Sequence, residues 1–104
     1  MTVQPRFEIL VGLHIQNDEN YDKYRASMAP LLKEHHGYFR YDFKISEMLI
    51  GDAEDPFNRV FVLSFPDEPT KERFFNNETY KQIRKTYFDT SVKSGGILAS
   101  FTSP

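Results

Sequence analysis

Three imidazoles, six phenols and a scatter of carboxylates are the groups that could move protons in this chain of 104 residues. There is no cysteine, which removes thiolate zinc sites, iron–sulfur clusters, disulfides and a thiol nucleophile. His35 and His36 are neighbours and diverge by about 100° on a helix, so they do not chelate as an i, i+4 pair would. His14 falls at the end of a strand, and the helix that follows separates it from His35 by about 20 Å. No metal site is expected. His14 is the stronger candidate for chemistry. On the mixed face of a central strand, and expected beside Tyr21, Tyr24 and Tyr87, its imidazole would act as general base on an acidic phenol, with tyrosine hydroxyls stabilising an oxyanion. The alternative is a hydrogen-bonded histidine of the core or of a subunit contact.

Other groups carry a second reading each. Tyr24, Phe74, Phe75, Tyr80 and Tyr87 recur at helical spacing, which marks core rings or the lining of a pocket for a small apolar or aromatic ligand. Arg59 would bind a ligand carboxylate or pair with Asp52 or Asp55 of its own loop. Glu47 interrupts an apolar strand face, as a buried acid or as a strand-end carboxylate. The acidic loop lacks EF-hand spacing, and Gly95-Gly96 lacks the context of a Rossmann turn or P-loop.

Thirteen basic and 15 acidic residues leave a net charge of -2, with no field to recruit nucleic acid or an anionic membrane. Lys71, Arg73, Lys81, Arg84 and Lys85 form one basic cluster, on helices. Arg59 to Phe65 faintly echoes the basic-aromatic strand of an RNA-recognition module but lacks its glycines. The apolar run Ile9 to Val11 is too short for a signal-peptide core or a membrane span, so a soluble, cytoplasmic protein is expected.

The elements that must position these groups follow from period and punctuation. Phe7 to Gln16 alternates as a strand. Asn17, Asp18 and Asn20 offer caps to a helix whose stripe of Tyr21, Tyr24, Met28, Leu31 and Leu32 runs to a stop at Gly37. Pro30 lies about 180° from Tyr21 on that helix, on the convex side, and predicts a bend rather than a break. Tyr38 to Leu49 alternates again, with Phe39, Tyr41 and Phe43 on one face and Arg40, Asp42 and Lys44 on the other, as on an edge strand. A loop from Gly51 to Asn58 leads to a strand from Arg59 to Phe65. Asp67 caps a helix that Asn76-Asn77 interrupts before Tyr80, Ile83 and Tyr87, and Gly95-Gly96 leads into a last strand, Ile97 to Phe101. The order predicts an α+β, ferredoxin-like βαββαβ domain over residues 1–104, with a four-stranded antiparallel sheet.

Apolar residues make up 39% of the chain and aromatics 15%, so rings must fill an interior poor in aliphatics. Helices cover one sheet face; the other, carrying strand aromatics, predicts a homodimer formed through the sheet.

Tyr21-Asp22-Lys23-Tyr24, Ala29-Pro30-Leu31-Leu32, His36-Gly37, Arg59, Phe65-Pro66 and Tyr80-Lys81-Gln82-Ile83 together resemble an uncharacterised bacterial family of the dimeric α/β-barrel superfamily. The resemblance runs from about Phe7 to Phe101. It implies the same fold, assembled as a dimeric barrel. It also implies company with cofactor-free monooxygenases of aromatic polyketides, lactone isomerases, haem-dependent relatives and members without known activity. In several of these the pocket lies between sheet and helices. His36 stands where that family commonly has glycine, Ser64 where it has an acid and Tyr87 where it has arginine, exchanges that imply a neutral, aromatic pocket. The expected function is therefore twofold. One possibility is a cofactor-free enzyme of monooxygenase or isomerase type for a small aromatic or lactone-like molecule, with His14 catalytic and Tyr24, Phe74, Tyr80, Tyr87 and Arg59 binding the ligand. The other is a non-catalytic ligand-binding or homodimeric assembly module.

Overall fold

The computed structural model of the chain describes residues 4–104. Strand β1 (Arg6–Ile15) leads into helix α1 (Asp18–Glu34), followed by β2 (Tyr38–Lys44) and β3 (Arg59–Phe65). Two short helices, α2 (Glu68–Phe75) and α3 (Glu78–Ile83), run into a π-helical turn (Arg84–Phe88) before β4 (Val92–Ser103). The strands form one antiparallel sheet in the order β2-β3-β1-β4, which is the ferredoxin-like α+β arrangement.

Each helix begins on the cap its sequence offers. The Asn17, Asp67 and Asn77 side chains accept from the backbone N–H groups of Asn20, Thr70 and Tyr80, at 3.0, 2.8 and 3.2 Å. α1 runs unbroken through Pro30, which is exposed, opposite the buried stripe of Tyr21, Tyr24, Met28 and Leu32. It closes by a Schellman turn: the His36 and Gly37 N–H groups donate to the Lys33 and Leu32 carbonyls, both at 2.9 Å. His36 occupies the left-handed position of that turn with φ 57°, where glycine is the favoured residue. Gly37 sits in close packing as well, since a Cβ there would stand 2.6 Å from the Leu32 side chain, which would have to shift.

In β1, Ile9, Val11, Leu13 and Ile15 are buried beneath the helices, while Glu8, Leu10, Gly12 and His14 turn to the other face. β2 is an edge strand, but its faces differ from the simple alternation. Phe39 pairs with Leu63 and Tyr41 with Val62, leaving Arg40 as an extra residue. This bulge reverses the side-chain parity. Phe39 and Asp42 thereby face the helices, whereas Tyr41 and Phe43 join Tyr38 on the open side. β2 also stops at Lys44 rather than Leu49, because its partner strand begins only at Arg59 and Asn58 turns away to β1. The Asn58 side chain accepts from the Ile15 N–H and donates to the Ile15 carbonyl, both at 2.8 Å, in place of a further strand residue.

The loop 45–58 is closed at its base by the Ile45 N–H on the Asn58 carbonyl at 2.9 Å. Asp55 ties it to β4, accepting from Lys93 Nζ at 3.0 Å and the Ser94 hydroxyl at 2.9 Å. β4 begins at Val92, five residues before the expected start at Ile97, and passes through the glycine pair. Gly95, at φ 119°, is what permits this: a Cβ there would lie 2.2 Å from the Gly12 carbonyl oxygen. No helix among the described residues is long and apolar enough to cross a membrane.

Candidate functional site

Between sheet and helices lies a cavity of about 380 Å³, within the size range of small-molecule sites. Its floor is apolar, with Ile9, Val11 and Leu13 of β1, Phe61 and Leu63 of β3 and Ile97 of β4. Tyr24 of α1, Phe75 of α2, Tyr80 of α3 and Phe88 of the π turn form the roof, and Lys71 and Arg84 add the charged groups. The cavity opens beside β4, where Ile97 is exposed.

Tyr24 and Tyr80 are brought together from different helices, their hydroxyls sharing a 2.8 Å hydrogen bond within the buried layer. Burial pushes the Tyr24 phenol well above its ordinary value, and the neighbouring Tyr80 pushes it the same way. Burial also raises Tyr80, offset in part by its bond with Tyr24 and by the charge of Arg84. Both phenols therefore keep their protons at neutral pH and offer hydrogen bonds rather than base catalysis.

The other expected site residues lie elsewhere. Phe74 is sealed in the core, its ring centroid 4.6 Å from that of Tyr80 and 5.8 Å from that of Phe65, and its neighbour Phe75 meets the cavity instead. Tyr87 packs against the core without lining the cavity. The cause is the π turn, which accommodates one residue more than an α-helical turn and so advances Phe88 to the place a regular helix would give Tyr87. Neither loop acid holds Arg59: its guanidinium donates to both Asp42 oxygens at 2.8 and 2.9 Å, and Arg25 approaches the same carboxylate at 3.1 and 3.2 Å. Burial pushes the Asp42 carboxyl up, but the hydrogen bonds from Arg59 and Arg25 and their charges outweigh it and hold the group below its ordinary value.

His14 is separated from Tyr24 and Tyr80 by the sheet itself. It shares the open face with Glu8, and Nδ1 lies 2.7 Å from the Pro56 carbonyl, to which it donates. There it lines a second cavity of about 320 Å³ under the loop 45–58, together with Ser46, Glu47 and Met48; Glu47 is an exposed loop residue. The parity of β1 separates it from the tyrosines, since His14 alternates with the buried Leu13 and Ile15. His35 caps the C-terminal end of α1 with Nδ1 2.8 Å from the Leu31 carbonyl. Ser64 also lies on the open face, its hydroxyl accepting from Arg6 Nε at 2.7 Å, so its exchange leaves the cavity untouched.

Lys71 and Arg84, which the sequence presents only as part of a basic cluster on the helices, are not among the expected site residues. The signal that could have found them is spacing: Arg84 follows Tyr80 by four residues, and Lys71 precedes Phe75 by four, each pair on one helix face.

Comparison with known structures supports the fold and stops there. The RPA0582 protein of Rhodopseudomonas palustris, a protein of unknown function, superposes in its methylated form with a TM-score of 0.80 at 14% identity, covering 98% of this chain and 83% of that one. A hydroxynitrile lyase from Passiflora edulis gives 0.68 at 12% identity, covering 98% and 96% of the two chains. A dimeric protein of unknown function with a ferredoxin-like fold from Bacteroides fragilis gives 0.61 at 8% identity, covering 94% and 96%. No curated protein matches the chain. Residues 9–97, from within β1 to within β4, match the model of a domain of unknown function, DUF1330, and so the chain belongs to the DUF1330 family.

Proposed function

We propose that the protein binds a small, mainly apolar ring compound bearing an oxygen function in the cavity between sheet and helices. The observation that carries this reading is the Tyr24–Tyr80 hydroxyl pair, set among mainly apolar side chains in the wall of a cavity of about 380 Å³. One phenol of the pair gives its proton to the other, whose own O–H is left to donate to a carbonyl or an oxyanion, and the apolar side chains around it strengthen that bond. No imidazole or carboxylate is among the described residues that line the cavity. Cofactor-free oxygenation or isomerisation of an aromatic or lactone-like molecule is therefore the catalytic form of this reading only for a substrate that arrives already ionised or enolic. Simple binding needs nothing further. His14, on the other face, would serve as a base only for a molecule in the second cavity, and we assign it to holding the loop 45–58 through Pro56.

A second reading concerns the open face. Tyr38, Tyr41, Phe43, Leu98 and Phe101 expose large apolar surfaces there, with Leu49 and Ile50 beside them on the loop. We propose that a second copy of the chain covers this face, giving a homodimer through the sheet.

The pocket reading is tested by a thermal-shift screen of aromatic and lactone compounds against the intact protein. A ligand at 100 times its dissociation constant should stabilise it by about 2.7 kcal/mol. Ile97→Trp, which fills the mouth from an exposed position, should abolish the shift and leave the unliganded melting temperature nearly unchanged. A shift that survives Ile97→Trp would place the ligand elsewhere and refute the reading.

A further inference from the structure

We propose that the cavity ligand is a ring monocarboxylate, held with its ring over the apolar floor and its carboxylate toward Lys71 and Arg84. This rests on the pocket reading and adds the charge of the ligand to it. Among the described residues that line the cavity, Lys71 and Arg84 are the charged ones, so the wall carries two formal positive charges and no negative one. Two cations beside apolar walls favour an anion, because low surrounding polarity strengthens their attraction.

Lys71 has one close acidic partner, itself largely exposed, and Arg84 has none within hydrogen-bond length. Lys71 Nζ meets Glu72 Oε1 at 2.7 Å, but the Glu72 side chain is 55% exposed while that of Lys71 is 16% exposed, so the lysine is the half of the pair turned inward. Arg84 Nε stands 3.7 Å from Asp89 Oδ1, beyond hydrogen-bond length. Glu72 and Asp89, the acidic halves of these pairs, are more than half exposed, so water competes for them and a well-placed carboxylate can take their place. The Arg84 guanidinium also lies 5.2 Å from the centre of the Phe88 ring. The π turn joins these two residues, so the ring and the fork that would meet a ligand are set by one backbone feature.

The charge count limits the ligand further. One carboxylate can take the fork of Arg84 and the ammonium of Lys71 together. The remaining polar groups are phenols, which suit a neutral hydroxyl or carbonyl on the ring better than a second charge.

The test uses the intact protein with benzoate and 2-naphthoate as probes, each against its neutral amide, followed by ligand-observed NMR titration. The carboxylates should bind about tenfold tighter than the amides, and Arg84→Gln should remove most of that advantage by weakening the carboxylates more than the amides. Arg84→Lys, which keeps the charge and loses the fork, should restore part of it, and Lys71→Gln should act in the same direction as Arg84→Gln. Amides that bind as tightly as the carboxylates would overturn the anion proposal and leave the pocket reading standing. Probes of both kinds that ignore Ile97→Trp would refute the pocket itself.

Discussion

On the helix side of the sheet, Phe65, Phe74 and Tyr24 are no more than 4% exposed, while on the open side Tyr41, Phe43 and Phe101 expose 52%, 51% and 43%. The residue types are the same on both sides. On the first, rings meet rings: Phe74 stands against His35, Phe65, Phe75 and Tyr80, and such contacts add to the burial of their area. On the second, rings lie beside a polar network, in which the buried carboxylate of Glu8 faces Arg40 Nη1 at 3.4 Å and Arg6 stacks over Tyr38 at 4.6 Å. An aromatic-rich chain thus divides its rings between a closed interior and an exposed face, the one on which we place the proposed dimer contact.

The sharpest way to break this division is to remove one ring from each side. Phe74→Ala should cost about 3 to 5 kcal/mol by chemical denaturation, whereas Tyr41→Ala, measured on the monomer, should stay within about 1 kcal/mol. Equal losses would contradict the contrast. Alkaline titration reads it next. Because folding raises the phenols of Tyr24, Tyr80 and Tyr21, their stabilisation is complete below the unfolded tyrosine value of about 10 and is lost as pH climbs through their higher folded values. Absorbance near the tyrosinate band should keep a component, from Tyr21, Tyr24 and Tyr80, that appears only together with unfolding; its complete appearance while the protein is still folded would argue against buried phenols.

The open side is probed by Phe43→Glu, which places a charge in the proposed contact and should weaken self-association by at least about tenfold in light scattering. Wild-type protein that runs as a 12.2 kDa monomer at micromolar concentration would remove the dimer altogether. The smallest effect belongs outside both faces. His36→Gly relieves a left-handed residue at the Schellman turn and should raise stability by about 0.5 to 1 kcal/mol; a loss would show that the histidine side chain contributes more than its backbone costs.

The elements themselves were legible because their boundaries are written in single residues. Asn17, Asp67 and Asn77 each supply the side-chain oxygen that starts a helix, and Gly37 and Pro66 end what precedes them. The candidate site was legible only in Tyr24 and Tyr80. Two of the misses come from one-residue irregularities: the bulge at Arg40 parted Phe39 from Tyr41 and Phe43, which simple alternation puts on one face, and the π turn substituted Phe88 for Tyr87. Periodicity carries no mark of an inserted residue, since the pattern on either side of it is intact. The position of His14 was a different matter, because alternation shows that two faces exist without saying which one the helices choose.

The clasp at the base of the loop 45–58 has a consequence for how this chain tolerates change in length. Ile45 meets Asn58 across the base, and the amide of Asn58 stitches that point to Ile15, so β2 and β3 keep their alignment without help from the residues between. Doubling such a loop adds only about 0.6 kcal/mol of closure entropy. It is therefore a practical place to graft a reporter peptide without disturbing the aromatic cavity on the far side of the sheet.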